Sequence, residues 1–199
     1  MRKSLLSAFF LSFVLIFVLS NPAYSAYLMV DELYFQDSYV YISLESSVTD
    51  EIDVYSFIED GVEITAEYKI RLFRRQGFLT PDEEITNINV SFFARKDFIN
   101  DGYEVKASID DRNKVYWFHV IDDMYNRTIR VNDLRIIAIS FLLNNYPEQS
   151  EYYIQAELSY VSLELYPPLS LIYNLLGNWN YHSKKVESRG FRVDGILLE

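Results

Sequence analysis

Residues 62–72, VEITAEYKIRL, decide the fold of this chain. Their even positions are apolar and their odd positions are charged or polar, so the pattern repeats every two residues. A period of two is typical of a β-strand with one buried face and one face toward solvent. The stretch therefore predicts a half-buried strand and favours a β-rich domain.

The next alternating stretch, residues 84–96, is the expected antiparallel partner of this strand. If the numbers of opposed residues add to 158, Tyr68 lies opposite Val90 on the apolar face. Glu63 then lies opposite Arg95 on the polar face. A shift by one residue would set apolar side chains against charges, because alternate residues point to opposite faces. The side chains therefore predict a single register for this hairpin.

The start of the domain has the pattern of another hairpin. Residues 27–35 and 39–45 alternate on either side of a short polar segment. The face expected to enter the core carries Val30, Tyr34, Val40, Ile42 and Leu44. Glu32 is an exception on that face, since a charged side chain is costly to bury.

A further hairpin is predicted in the middle of the chain. Residues 103–109 and 114–120 alternate around a loop at 110–113. If the numbers of opposed residues add to 223, Glu104 lies opposite His119. This pairing would place an acid and a base side by side on the polar face of the sheet.

Helices are expected at two or three places between the strands. Residues 49–60 have helical spacing and end at Gly61, a common helix stop. Residues 133–143 are apolar on most sides, and we favour a helix there over a buried strand. Residues 169–176 fit a short apolar helix, and residues 151–166 a long strand. The fold class predicted is mainly β, an antiparallel β-sandwich-like domain with two or three short helices.

The first 25 residues have the pattern of a secretory signal peptide. A basic start is followed by an apolar run over residues 5–19 and by the small residues Ala23 and Ser25. The run is shorter than the roughly 20 residues that a membrane-spanning helix needs. We therefore predict a signal peptide at 1–25 and a single mostly-β domain at 26–199. If the signal segment were retained, it would tether the domain to the inner membrane and allow membrane contact.

The charge and composition argue against several classes of partner. The chain has 18 basic and 29 acidic residues, a net charge of −11. Removal of residues 1–25 takes away two basic and no acidic residues, so the charge becomes −13. An acidic domain is repelled by nucleic-acid phosphates and by anionic lipid heads. The absence of cysteine excludes disulfides and lipid attachment through a thiol.

The sequence contains no recognisable catalytic or metal-binding motif. Its two histidines are His119 and His182, and neither lies in a known motif. A cross-strand polar pair on a solvated face explains His119 and Glu104 better than a catalytic pair does. The acidic doublets at 110–111 and 122–123 lack the spacing of calcium loops and fit turns. We therefore predict no catalytic residue, no metal, no cofactor and no enzymatic activity.

One basic cluster stands out in this acidic chain. It contains Lys69, Arg71, Arg74 and Arg75. Such a cluster would receive an acidic partner or an anionic ligand. We favour a solvated face that pairs with itself, since Glu83 is expected opposite Arg75 and Glu84 opposite Arg74.

Two motifs and the order of elements resemble a bacterial exported family catalogued as domain of unknown function 4390. Residues 58–64, IEDGVEI, are similar to that family's helix ending in Gly before a strand, and residues 68–75, YKIRLFRR, to its Arg-rich strand. The resemblance covers residues 27–181 and carries no catalytic residues. It implies a periplasmic or envelope protein of a Gram-negative-type bacterium. Genes of the family often lie near a membrane sensor kinase gene, which implies a link to envelope signalling.

The function expected from the sequence is a non-enzymatic binding or interaction domain of the periplasm, with an envelope protein as partner. The first alternative is a carrier of an apolar ligand, such as a lipid, held between its sheets. An outer-membrane barrel and a hydrolase using His119 are less well supported. The sequence does not determine the oligomeric state.

Overall fold

The structure of the protein is a computed structural model, and it describes residues 25–49, 51–77, 79–110, 112–147, 149–162 and 180–193. The strands are β1 (Ser25–Gln36), β2 (Tyr39–Val48), β3 (Ile64–Arg74), β4 (Glu83–Asp97), β5 (Gly102–Ile109), β6 (Arg112–Phe118), β7 (Arg130–Ala138), β8 (Glu151–Ser162), β9 (Asn180–Ser183), β10 (Val186–Glu187) and β11 (Phe191–Arg192). The helices are α1 (Glu51–Glu59), α2 (Ile121–Thr128) and α3 (Ile139–Asn145). Apart from Ser25, the predicted signal peptide and the predicted helix at 169–176 lie outside the described residues.

All described strands belong to one sheet. Its order is β6-β5-β4-β3-β8-β9-β1-β2-β7, and β10 and β11 pair with β8. The mainly β class with three helices is confirmed, but the sheet is continuous and strongly curled into a half-barrel. The predicted two-sheet sandwich is therefore not the arrangement found. Alternation shows which face of each strand is buried, but it does not show whether two sheets or one curled sheet buries that face.

The predicted register of β3 and β4 is confirmed over most of its length. Tyr68 lies opposite Val90, and the same register runs from Ile64 to Leu72. A β-bulge after Leu72 then shifts the pairing by one residue, so that Arg74 lies opposite Glu83. The predicted pairs of Arg74 with Glu84 and of Arg75 with Glu83 are therefore wrong.

The opening hairpin of β1 and β2 is also present, and its core face is only partly as predicted. Val40, Ile42 and Leu44 are buried. A bulge between Val30 and Glu32 reverses the alternation of β1, so Leu33 is buried in place of Tyr34. The bulge also explains Glu32, which is exposed although the simple alternation would place it in the core.

The hairpin of β5 and β6 forms in a different register from the one predicted. Ile109 pairs with Arg112, so the connection is a two-residue turn and not the four-residue loop expected. Asp110 in that turn has a φ of 44°, the left-handed conformation that tight hairpin turns require. The partner of Glu104 is consequently Trp117 and not His119.

The helices correspond partly to the prediction. The helix expected at 49–60 is confirmed as α1, and Gly61 follows it with a φ of 84°. The helix expected at 133–143 is wrong for its first half, because residues up to Ala138 pair with β2 as strand β7. Only Ile139–Asn145 is helical. Helix α2 was not predicted.

The described residues after 179 complete the centre of the sheet. Strands β9, β10 and β11 run in succession along one edge of β8, while β3 covers the other edge. At its start this segment also pairs in parallel with β1, where Ser25 lies opposite His182 and Ala26 opposite Ser183. The parallel pairing of β1 with β9, two residue pairs long, therefore joins the two antiparallel parts of the sheet.

The inner face of the curled sheet contains one hydrophobic core. Helix α2 connects the two ends of the sheet, β6 and β7, and packs against both of them as well as against β4 and β5. Its buried residues are Met124, Tyr125 and Thr128. Among the described residues, the helices are all too short or too polar to cross a membrane.

Candidate functional site

A cleft of about 640 Å³ lies between the two ends of the curled sheet. Strands β4, β5 and β6 form one wall, and β7 with the end of α2 forms the other. The apolar side chains that line it are Val90, Phe92, Ala107, Ile109, Val131 and Leu134. All six belong to the core or pack against it, so the cleft reaches from solvent to the hydrophobic interior.

Arg127, in α2, is held between two aromatic rings of this cleft. Its guanidinium carbon lies 4.8 Å from the centre of the Phe92 ring and 4.7 Å from the centre of the Tyr116 ring. One terminal nitrogen donates a 3.3 Å hydrogen bond to the Tyr116 hydroxyl, and the other donates one of 3.3 Å to the carbonyl oxygen of Arg130. The negative faces of both rings attract the cation. These contacts position the side chain, and no carboxylate of the described residues forms an ion pair with it.

A buried polar network fixes the end of α2 that carries Arg127. The hydroxyl of Tyr68 donates a 2.8 Å hydrogen bond to the carbonyl oxygen of Thr128. The Thr128 hydroxyl donates one of 2.8 Å to the carbonyl oxygen of Tyr125 and lies 3.1 Å from the Tyr160 hydroxyl. These groups satisfy carbonyls at the helix end that water cannot reach. Strands β3 and β8 thereby hold the helix, and with it the cation, at one place in the cleft.

Three more cations line the cleft, namely Arg112, Lys114 and Arg135. The ammonium nitrogen of Lys114 lies 4.9 Å from the centre of the Tyr116 ring. The guanidinium of Arg135 lies 4.7 Å from the centre of the Tyr39 ring. The hydrogen bond from Arg127 lowers the pKa of Tyr116, and Lys114 adds to this effect. A tyrosine whose ionised form is favoured indicates a positive potential around its hydroxyl.

These cations differ from most others in the described part of the chain, because no described carboxylate pairs with them. Six of the ten described arginines form ion pairs. The four others are Arg112, Arg127, Arg135 and Arg189, and the first three of them line the cleft. The acids that line it are Asp110 and Asp133. Asp133 accepts a 2.7 Å hydrogen bond from Tyr34, whose pKa it raises to about 12.

The basic cluster predicted as a binding surface lies elsewhere, on β3 and directly after it. It consists of Lys69, Arg71, Arg74 and Arg75, and none of these side chains lines the cleft. Their carboxylate partners are Glu157 for Arg71, Glu83 for Arg74 and Glu151 for Arg75, at 3.5, 2.7 and 3.4 Å. Lys69 is exposed. Three of the four cations are thus neutralised locally, which leaves less charge for a ligand than the cleft offers.

The histidine and carboxylate groups considered from the sequence are not brought together. His119 is exposed just after β6, and His182 is exposed in β9. Glu104 is buried and forms a 2.6 Å ion pair with Arg95, with Lys106 3.7 Å away. Among the residues that the structure describes, no three metal-ligating side chains form a group. What the cleft provides is cations and aromatic surface, which is the chemistry of binding an anion.

The sequence did not reveal this cleft, because its cations come from three separated segments. Arg112 and Lys114 belong to β6, Arg127 to a helix that was not predicted, and Arg135 to a strand assigned to a helix. A signal for α2 was present: Asp122 and Asp123 precede helically spaced residues, and acids favour the first turn of a helix. The doublet was interpreted as a turn.

No family model matches the chain, and no curated protein or solved structure resembles it significantly. The resemblance to domain of unknown function 4390 therefore stays a prediction from the sequence motifs. Evidence for a function has to come from the cleft itself.

Proposed function

We propose that this protein is a non-enzymatic binding domain of the bacterial envelope, and that its ligand occupies the cleft between β4–β6 and β7. The observation that carries the proposal is the form of the cleft, about 640 Å³ with apolar side chains and with cations that form no ion pair with a described carboxylate. Ligand sites are typically concave and mostly apolar, with a few polar groups that set orientation.

The contents of the cleft favour binding over a purely structural role. In the described part of the chain, most arginines form an ion pair, as Arg95 does with Glu104. Arg127 instead has two rings and one carbonyl group as its neighbours. A cation prepared in this way loses little conformational freedom when an anion arrives. The β3 cluster is the weaker candidate, since three of its cations already have acids within 4.0 Å.

Export to the periplasm is part of the proposal and rests on the signal-peptide pattern of residues 1–25. A retained signal segment would hold the cleft near the inner membrane. The family resemblance adds the proposal of a role in envelope signalling, with an envelope protein as partner. A domain that binds a ligand and passes on its presence fits such a role without any catalytic step.

Native mass spectrometry of the protein purified from its own host tests the proposed function. We expect a fraction of the protein molecules to carry an additional mass, and we expect mild activation to release it as a bound ligand. Ile109→Trp would fill the cleft and remove this mass, because Ile109 lines it. Ser108→Trp is the matched control, since Ser108 is the adjacent half-buried residue of β5 and does not line the cleft. A wild-type protein that is consistently empty, or a mass retained in Ile109→Trp, would argue against the cleft as the site.

A further inference from the structure

We infer that the ligand of the cleft is an anionic amphiphile, with its acidic head at Arg127 and Lys114 and its apolar part against the half-buried side chains of Ile109 and Tyr116. The inference rests on the proposed function and names the class of ligand. The head would be a carboxylate, phosphate or sulfonate, since these groups accept the hydrogen bonds that guanidinium and ammonium groups donate.

The first argument is the placement of two like charges at one ring. Arg127 lies 4.7 Å and Lys114 lies 4.9 Å from the centre of the Tyr116 ring. Among the described residues no carboxylate forms an ion pair with either of them. Like charges held near one ring repel each other, and an anion that binds to either of them reduces this repulsion.

The second argument is the hydrogen-bonding capacity that Arg127 retains. A guanidinium group has five N–H donors. Two hydrogen bonds to described acceptors are formed, one to Tyr116 and one to Arg130. The remaining donors belong to a side chain that lines the cleft. Arg127 can therefore donate to an oxyanion without breaking the contacts that hold it.

The third argument concerns the apolar part of the ligand. Phe92, Ala107 and Leu134 are already buried, and the apolar side chains that line the cleft and are only half-buried are Ile109 and Tyr116. A simple inorganic anion would leave the exposed parts of these two side chains in contact with water. An acyl chain or an aromatic group would cover them, and burial of apolar area stabilises a complex by roughly 25 cal/mol per Å². The cations of the cleft therefore favour a ligand with an acidic head, and its apolar lining favours a ligand with an apolar tail.

A pair of fluorescent probes tests this inference on the full chain. The anionic probe is 1-anilinonaphthalene-8-sulfonate, and its neutral counterpart is N-phenyl-1-naphthylamine. Both carry the same ring system, so a difference in affinity reports the head group. We expect Arg127→Gln and Lys114→Gln each to weaken sulfonate binding by about tenfold, the effect of losing one charge-assisted hydrogen bond. Binding of the neutral probe should stay within about twofold.

Arg130→Gln is the matched control for charge. Arg130 is exposed, pairs with Glu45 at 2.6 Å and does not line the cleft. We expect it to leave the affinity for both probes unchanged. If Arg127→Gln fails to fold by circular dichroism, Lys114→Gln decides, because Lys114 is exposed and outside the core.

The outcomes separate this inference from the proposed function. If both variants bind the sulfonate as the wild type does, while Ile109→Trp still abolishes binding of both probes, the inference is overturned and the proposed function stands. If the wild type binds neither probe, the inference and the proposed function are both overturned.

A competition experiment tests the apolar part of the ligand. Oleate should displace the sulfonate probe, and inorganic phosphate at equal concentration should not. Equal displacement by phosphate would make the ligand a simple anion and would also overturn the inference.

Discussion

The hydroxyl of Tyr68 donates a 2.8 Å hydrogen bond to the carbonyl oxygen of Thr128, and both residues are about 1% exposed. The bond connects the centre of the sheet to the end of α2. Burial raises the pKa of Tyr68, which favours the protonated hydroxyl that donates this bond. Since the next side chain from Thr128 is Arg127, this contact positions the cleft cation indirectly.

Replacement of Tyr68 by Phe should lower the free energy of unfolding by about 1–3 kcal/mol, because it leaves the buried carbonyl of Thr128 without this donor. We also expect weaker binding of the anionic probe through a loosened α2. Urea denaturation measures the stability change. Tyr27→Phe is the control, since Tyr27 is 64% exposed and should change stability by less than about 0.5 kcal/mol. Equal effects of the two substitutions would contradict the role given to Tyr68.

Arg95→Ala should destabilise the hairpin of β4 and β5. It removes the 2.6 Å ion pair of buried Glu104 and leaves Lys106, at 3.7 Å, as the remaining cation. We expect a clear loss of stability, smaller than for a fully buried pair because the Arg95 side chain is half exposed. Arg192→Ala breaks a 3.9 Å contact with Glu151 and should cost under about 0.5 kcal/mol. A loss no larger for Arg95→Ala than for Arg192→Ala would show that Glu104 does not depend on the pair.

The contact of α1 with β4 and β5 predicts that the free energy of unfolding falls at both acid and alkaline pH. Hydrogen bonds from Lys96 and then Tyr103 lower the pKa of Glu59 below 4.5. Its stabilising effect is present above the unfolded-state pKa and is lost as pH falls through the folded one. The hydrogen bond to Glu59 raises the pKa of Tyr103 from 10.0 to about 12. That contribution is present below pH 10.0 and is lost as pH rises toward about 12.

Tyr103→Phe should therefore reduce the dependence of the unfolding free energy on pH at both acid and alkaline pH. At alkaline pH the decrease caused by ionisation of Tyr103 should disappear. At acid pH the decrease caused by protonation of Glu59 should become smaller, because the hydrogen bond from Tyr103 is missing. Tyr27→Phe should leave the curve unchanged, because Tyr27 is largely exposed. A wild-type curve that is flat between pH 10 and about 12 would be inconsistent with the raised pKa of Tyr103.

Gly61→Ala should destabilise the junction between α1 and β3. Gly61 has a φ of 84°, and an added Cβ would lie 2.8 Å from the Phe98 ring. The left-handed conformation costs a residue with a side chain about 1–2 kcal/mol. Gly77→Ala should have little effect, because nothing lies within 4 Å of its added Cβ. A thermal melt of each variant measures the difference, and equal melting temperatures would contradict the expected strain.

The hairpins could be predicted from the sequence wherever the alternation of side chains was uninterrupted. The register of Ile64 with Ala94 through Leu72 with Thr86 followed from matching apolar residues across two strands. The bulge near Asp31 could not be predicted, because an inserted residue changes the buried face without changing composition. The register of β5 and β6 failed because a two-residue turn and a four-residue loop preserve the same alternation.

The cleft could not be predicted, because it depends on curvature. Curling of the sheet brings β4 and β7 together, although these strands lie far apart in the sheet order. The cations of the cleft line the same cavity only once the sheet has curled in this way. The β3 cluster was visible in the sequence because Arg74 and Arg75 are adjacent, and its interaction with acids depended on β8, which contributes Glu151. The local density of charge in the sequence therefore identified a cluster of cations, but it did not identify the cations that are left without an ion pair and can bind a ligand.

The parallel joint between β1 and β9 has a consequence for the order of assembly. In the described sheet, the ladder of hydrogen bonds passes from β1 to β8 through residues 180–183. A chain synthesised from its N-terminus produces β1 early and β9 late. The link between the β1–β2–β7 part and the β3–β6 part of the described sheet runs through β8 and β9, so the complete sheet waits until these late strands are available. Such long-range closure slows folding. Such a delay would favour the proposed export, because a chain that completes its sheet late can be transported before it folds.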